Sequence, residues 1–308
     1  MDGFPPRLKS SLIYLLGGHL YIKETRPQNT THEACSWSGV GVHTGLSITV
    51  RLSPAPTGHG IQFVRTDRPQ TSIPAHWSSV TNASLNNTTL GRDDVTISTV
   101  EHLLSALSAL KIDNCLIEVD GPEMPILDGS SLPYLQELQR IGIREQEATR
   151  PVFGIHEPIV WSDGKSHLVA LPSDHAQFTY TLHYPGHPLL HAQVHHFSLA
   201  QHSYEEEIAP CRTFALAEEI EYLKSKGLIR GGSLSSAVVI HGTEILNPEG
   251  LRKPFEMARH KILDLIGDLA LIGEPIIAHV ISFRSGHASN VALARRIGES
   301  LHSQRAVL

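Results

Sequence analysis

The stretch from Lys253 to Leu271 constrains this chain more than any other. Pro254 near its start, good helix formers after it and Gly273 beyond its end predict one helix of about five turns. At about 100° per residue, Ile262, Leu265, Ile266 and Leu269 fall on one side, and Ala258, Leu263 and Ala270 widen that apolar arc. His260, Asp264 and Asp268, four apart, make a stripe about 80° wide on the other side, in a sector shared with Met257 and Leu271. The pattern describes ionisable groups held inside an apolar helix, and buried imidazole and carboxylate need partners. Two arrangements fit: imidazole and carboxylate one turn apart can converge on a divalent metal, and the same spacing serves an ion-paired helix face with no metal.

With 308 residues, 41% of them apolar, the chain can supply cores for two domains. A formal charge of -6 without a long basic run excludes the usual nucleic-acid binder, whose affinity comes from clustered Lys and Arg. Cys35, Cys115 and Cys211 are odd in number, far apart and free of any CxxC, which argues against a disulfide framework or a thiolate zinc site and fits a reducing compartment. Any metal therefore falls to His and carboxylates. Six of the 20 histidines, His183, His187, His191, His195, His196 and His202, crowd around Pro185, Gly186 and Pro188; their irregular spacing reads as loop and strand surface without assigned chemistry. No apolar run approaches the roughly 20 residues of a membrane span. Residues 1–30, with Arg7 and Lys9 before Leu12–Leu16 and then Gly17-Gly18, are expected to be an extension of unassigned role, a transit-like segment or an overlong reading frame.

Past this point, Gly39–Gly45 reads as a glycine-rich turn entering an alternating strand over Leu46–Leu52. Ser98 with Glu101 three residues on has the form of a capping box, opening a helix whose buried side is Val100, Leu103, Leu104 and Leu107. A strand over Cys115–Val119, a loop over Pro125–Ser131 and a helix from Leu132 to about Arg140 follow. The second half repeats the order: the long helix ends near Ile272, a strand covers Ile276–Phe283, the loop Arg284–His287 follows, and a helix begins near Ser289. This is a duplication of architecture rather than of sequence. It predicts an α+β chain of two similar domains (31–150 and 151–308), with a boundary near Arg150-Pro151 and a helix-and-strand insertion at about 217–240. The His102 and His260 helices would then be equivalent, and a site at the domain junction is natural.

A catalytic zinc site takes three protein ligands and leaves a position for water. His260 and Asp264 supply two. His102 is the best third candidate because Glu101 beside it could be a general base, although a histidine in a first helical turn also serves as a simple packing residue. His287, after Gly286, could point into a cleft with Asp268 holding it protonated; an exposed loop histidine is the alternative.

The blocks Gly39–Gly45, Ser98–Leu103, Ile126–Ser130, Arg212–Phe214, Gly231–Ser233, Arg259–Leu269 and Ser285–Ala288 closely resemble the UDP-3-O-acyl-N-acetylglucosamine deacetylases, in that family's order, from about residue 31 to the end. The resemblance implies that each domain is a β-sheet layered with helices. It implies zinc held by His102, His260 and Asp264, with Glu101 as general base, His287 as cationic acid, Asp268 as its charge partner and Thr213 as an oxyanion donor. It also implies substrate contacts from Lys261 and Arg284, and an acyl passage lined by Phe214, Ile220, Ile229, Gly232 and Ala237. Its further implications are a small-molecule acylated UDP-amino sugar as substrate, acetate and the free amine as products in lipid A biosynthesis, no nucleic-acid partner and no membrane span. A cytoplasmic bacterial monomer is expected, or an organellar enzyme in a plant-like eukaryote. Around Ser166–Pro172 this chain lacks the aromatic ring that some members offer to uracil. Two other readings share the metal site: a zinc hydrolase of another acylated amine or amide, and a metal-stabilised binding protein without turnover.

Overall fold

Alternation of exposed and buried residues over the first six positions of Ser47–Pro54 makes this segment a strand with one face in a core and one in water. The same logic repeats through a computed structural model that describes residues 19–68, 71–83 and 86–305. After β1 (Leu20–Thr31) come β2 (Cys35–Val40), β3 (Ser47–Pro54), β4 (Ile61–Arg65) and β5 (Ser72–Pro74). A small antiparallel insert of β6 (Val80–Ala83), β7 (Thr88–Arg92) and β8 (Val95–Ser98) precedes α1 (Glu101–Ala109), β9 (Cys115–Val119) and α2 (Leu132–Ile141). A long strand, β10 (Ile143–Ile155), leads to β11 (Ile159–Ser162), β12 (His167–Leu171), β13 (Gln177–Leu182) and β14 (Gln193–Ser198). Then come α3 (Tyr204–Glu207), β15 (Phe214–Leu216), α4 (Ala217–Ser225), β16 (Val238–His241) and β17 (Glu244–Ile245). The chain closes with α5 (Glu256–Ala270), β18 (Ile276–Ile277), β19 (His279–Phe283) and α6 (His287–Arg305).

The two halves share one topology. In the first the strand order is β2-β3-β9-β4-β5, and in the second β11-β12-β19-β13-β14. In each, the strand after the central helix lies in mid-sheet, parallel to one neighbour (β4 or β13) and antiparallel to the other (β3 or β12). The expected duplication is thus present, with α1 and α5 as equivalent helices that pack on each other. The inserts differ: a three-stranded sheet before α1, and β15-β16-β17 with α4 before α5.

Several boundaries differ from the sequence expectation. The expected 1–30 extension divides: residues 1–18 lie outside the described residues, whereas Leu20–Thr31 form β1, paired along β10. Thr30 is buried there, its hydroxyl donating to Asn114 O at 2.7 Å. The expected boundary at Arg150-Pro151 falls within β10, which also carries β18 on its other edge. The capping box at Ser98 does not form. Ser98 ends β8 with its N–H on Pro122 O, Thr99 turns the chain in the left-handed region (φ 59), and Glu101 opens the helix with its carboxylate aimed elsewhere. Phe255, also left-handed (φ 55), starts α5 at Glu256 rather than at Lys253. His287 is the first residue of α6 rather than a loop residue, because Ser289 Oγ accepts the Gly286 N–H at 2.9 Å and begins the helix early.

One glycine fixes how closely the central helices approach. A Cβ on Gly267 would lie 2.1 Å from the Glu101 carbonyl oxygen, so backbone meets backbone at the crossing of α5 and α1. In an open helix Gly→Ala stabilises by about 1 kcal/mol. Here the overlap is with main chain that cannot rotate away, and overpacking of about 1–3 kcal/mol or more outweighs the propensity gain. Gly267→Ala is therefore expected to lower the urea midpoint. A second expectation concerns the thiols: burial pushes Cys35 and Cys211 up to about 12 and raises Cys115 further. All three should resist iodoacetamide at pH 8 in the native protein and react at once in denaturant.

Candidate metal centre and active site

The stripe His260, Asp264 and Asp268 faces α1 across this crossing, and all three residues are buried. Asp264 Oδ1 lies 3.3 Å from His260 Nε2 and 3.7 Å from His102 Nε2, and the imidazoles stand edge to face with centroids 5.1 Å apart. One ligand atom from each residue falls within 4.8 Å of the others. His260 Nδ1 sits 3.0 Å from the Cys211 carbonyl, which can only accept, so the proton is on Nδ1 and the Nε2 lone pair faces the cluster. Burial lowers both histidines, His260 to about 3, and keeps them neutral as metal ligands must be. Asp264 Oδ1 is buried without a hydrogen-bond partner, as an atom reserved for a cation would be. The residues fit a divalent metal in a two-histidine, one-carboxylate set.

Around this set lies a second group. Burial alone would raise the Asp264 carboxyl, but His260, the Lys261 ammonium (2.8 Å from Oδ2) and His287 outweigh it and hold it well below the carboxylate range. Burial likewise opposes the charge on Lys261, yet Asp264 and the Tyr180 and Tyr184 phenols raise it. His287 Nδ1 is 2.9 Å from Asp268 Oδ2, while its Nε2 is 3.9 Å from Glu101 Oε1 and 4.0 Å from Asp264 Oδ2. Burial would lower His287, but Asp268, Glu101 and Asp264 overcome it and lift it to about 9, so the ring is cationic at neutral pH. Glu101, only 2% exposed, is pushed up to about 8 by burial and by Asp268 and Asp264 against the pull of His287; a metal cation on His102 beside it would lower it.

The remaining sequence candidates are spread more widely. Thr213 donates its N–H to Gly129 O at 2.9 Å, and its carbonyl receives the Val238 N–H at 2.8 Å, two residues from the carbonyl that orients His260. The adjoining Arg212 is fully buried and paired with Glu256 and Glu249, which clamps this segment onto α5. Phe214 lies under the Lys261 ammonium at 5.7 Å and meets Tyr184 edge-on at 6.1 Å. Ile220, Ile229 and Ala237 are partly exposed and Gly232 is exposed, all on the insert that carries α4, a helix with no buried residue. Arg284 is exposed and left-handed (φ 54), outside the buried ion-pair network. A cavity of about 890 Å³ lies elsewhere, beside β1 and β10, touching α5 through Ile266, Leu269 and Ala270, and contains none of the metal set.

Sequence reasoning missed three contributors. Thr88 donates to both Glu101 and Asp268, Asn290 donates to Asp268 Oδ2 at 2.9 Å, and the Cys211 carbonyl orients His260. Two left signals: Thr88 shares the inward face of β7 with Leu90, and Asn290 is one turn past His287 on α6. A backbone carbonyl leaves none.

The family profile described as UDP-3-O-acyl N-acetylglycosamine deacetylase matches residues 28–299. A UDP-3-O-acyl-N-acetylglucosamine deacetylase of Myxococcus xanthus is 44% identical over 272 residues, covering 88% of this chain and 86% of the relative. Proteins of the same name from Syntrophus aciditrophicus (43% over 273 residues; 88% and 86% covered) and Chlamydia felis (44% over 276 residues; 90% and 98%) are similar. The chain belongs to this deacetylase family. In metal analysis of the purified protein, His102→Ala, His260→Ala and Asp264→Asn should each lose bound divalent metal by at least about tenfold in affinity, whereas Asp268→Asn should retain it.

Proposed function

We propose that this member of the family removes the N-acetyl group of UDP-3-O-acyl-N-acetylglucosamine by hydrolysis, in lipid A biosynthesis, with zinc held by His102, His260 and Asp264. The observation that carries this reading is one buried space containing a metal-ligand set together with a separate base and acid, Glu101 and His287. A purely structural metal needs neither. Bound there, zinc would supply Lewis acidity, polarising the scissile carbonyl and lowering the pKa of water.

The chain's own groups do the rest. Glu101 takes the proton from the attacking water. The Thr213 hydroxyl donates to the oxygen on which negative charge develops. His287, kept cationic by Asp268, gives its Nε2 proton to the departing amine, which would otherwise be a poor leaving group. Lys261, over the Phe214 ring and beside Asp264, contributes a fixed positive charge toward an anionic substrate, and the exposed Arg284 adds a second. Phe214 with Ile220, Ile229, Gly232 and Ala237 lines the acyl passage, an apolar route that requires no membrane-spanning part. None of the described helices is long and apolar enough to cross a membrane. The reading extends to a cytoplasmic monomer.

Purified protein should release acetate from UDP-3-O-acyl-N-acetylglucosamine, lose the activity on chelation and regain it with zinc. Zinc at one equivalent with no acetate across several acyl lengths would sink the assignment. Glu101→Ala is expected to keep zinc and lose at least about 100-fold in kcat. An unchanged rate would remove Glu101 as the base.

A further inference from the structure

We infer that Thr88 is a positioning residue that fixes the general base and the histidine's carboxylate partner relative to each other across the two halves of the chain. The inference rests on the catalytic reading above. Thr88 opens β7 in the insert of the first half and is fully buried. Its backbone N–H donates to Glu101 Oε2 at 3.1 Å, and its hydroxyl donates to Asp268 Oδ1 at 2.6 Å, on a helix 180 residues away in sequence. A single residue thus holds one carboxylate from α1 and one from α5.

The hydroxyl contact matters because a carboxylate has no sharp torsional preference of its own about its last bond. Partners must set the plane of Asp268. On Oδ2 these are His287 Nδ1 and Asn290 Nδ2, both at 2.9 Å, and on Oδ1 the partner is Thr88. With Oδ1 held, Oδ2 stays directed at the imidazole. With Oδ1 released, the plane can turn, carrying His287 with it. The other nitrogen of His287 faces Glu101 at 3.9 Å, so rotation of the ring alters the geometry of acid and base together. Displacements of about 1 Å at reacting groups are enough to cost orders of magnitude in rate. Thr88 touches no reacting atom in this scheme; it acts through Glu101 and Asp268.

Two variants separate this role from packing. Thr88→Val keeps the β-branched shape and the backbone bond to Glu101 and removes only the hydroxyl, whereas Thr88→Ser keeps the hydroxyl and removes a methyl. Both are measured as zinc-loaded full-length protein for kcat, KM, zinc content and the NMR resonance of the His287 Nδ1 proton, assigned by its loss in His287→Ala. Losing a hydrogen bond to a charged group predicts a kcat for Thr88→Val lower by about 10- to 100-fold, with KM and zinc near wild type and the resonance displaced. Thr88→Ser should restore both kcat and the resonance. The inference is overturned if Thr88→Val keeps wild-type kcat and resonance, or if Thr88→Ser is as impaired as Thr88→Val at equal zinc, which would assign the residue to packing. If Thr88→Val fails to fold, Thr88→Ala set beside Thr88→Ser makes the same comparison. Wild-type protein that binds zinc yet releases no acetate would refute the deacetylase reading instead, and the resonance would then decide the role of Thr88 alone.

Discussion

Three carboxylates, Glu101, Asp264 and Asp268, are buried within reach of one imidazole, His287, and the rest of the molecule is arranged around making that tolerable. Placing like charges together out of water is unfavourable by several kcal/mol per ion unless each is paired and hydrogen-bonded. Here the compensation comes from every side: Lys261 from within α5, His287 and Asn290 from α6, and Thr88 from the small sheet of the first half. Asp264 Oδ1 is left without a hydrogen-bond partner, and it faces two neutral imidazoles. The electrostatic deficit and the metal-ligand set are one feature seen from two directions.

Duplication explains how such a site can be assembled. Two copies of one sheet-and-helix plan put two equivalent helices face to face, and a glycine at their crossing brings the backbones close enough for short side chains from both to share a space. Divergence lies in what was inserted before each helix. The first insert supplies Thr88 to the floor of the site. The second supplies the strand that follows Thr213 and the helix α4, and it reaches back to the first half, where the Gly231 and Arg230 N–H groups donate to Val42 and His43 carbonyls.

Much of this was legible in the sequence, for physical reasons that can be named. The 3.6-residue period of α5 and the alternation in β3 are burial patterns, and burial is what the fold satisfied. The four-residue spacing of His260 and Asp264 fixed their common side before any partner was known, and the carboxylate of Glu101 beside it singled out His102. What escaped was set by geometry rather than composition. Left-handed Thr99 and Phe255 moved two helix starts, and a non-glycine residue in that region carries no sequence mark. The capping box at Ser98 was a pattern match outvoted by tertiary structure, since the Glu101 carboxylate was needed inside. The extension before residue 31 hid a strand because Lys23, Glu24, Arg26, Gln28 and Asn29 make β1 look like a polar tail, although one of its edges is paired along β10.

That strand has a consequence for how the molecule comes apart. On β10 the beginning of the chain meets β18 from near its end, and Asp113 of the first half accepts both Arg26 of β1 and Arg150 of β10, which in turn reaches Glu274 of the second half. The repeats are therefore laced together through a shared edge rather than joined by a linker. Although each has the outline of an independent domain, neither owns all of its own boundary. Melting one exposes the flank of the other, so the pair should behave as a single cooperative unit and resist being divided into halves by proteolysis.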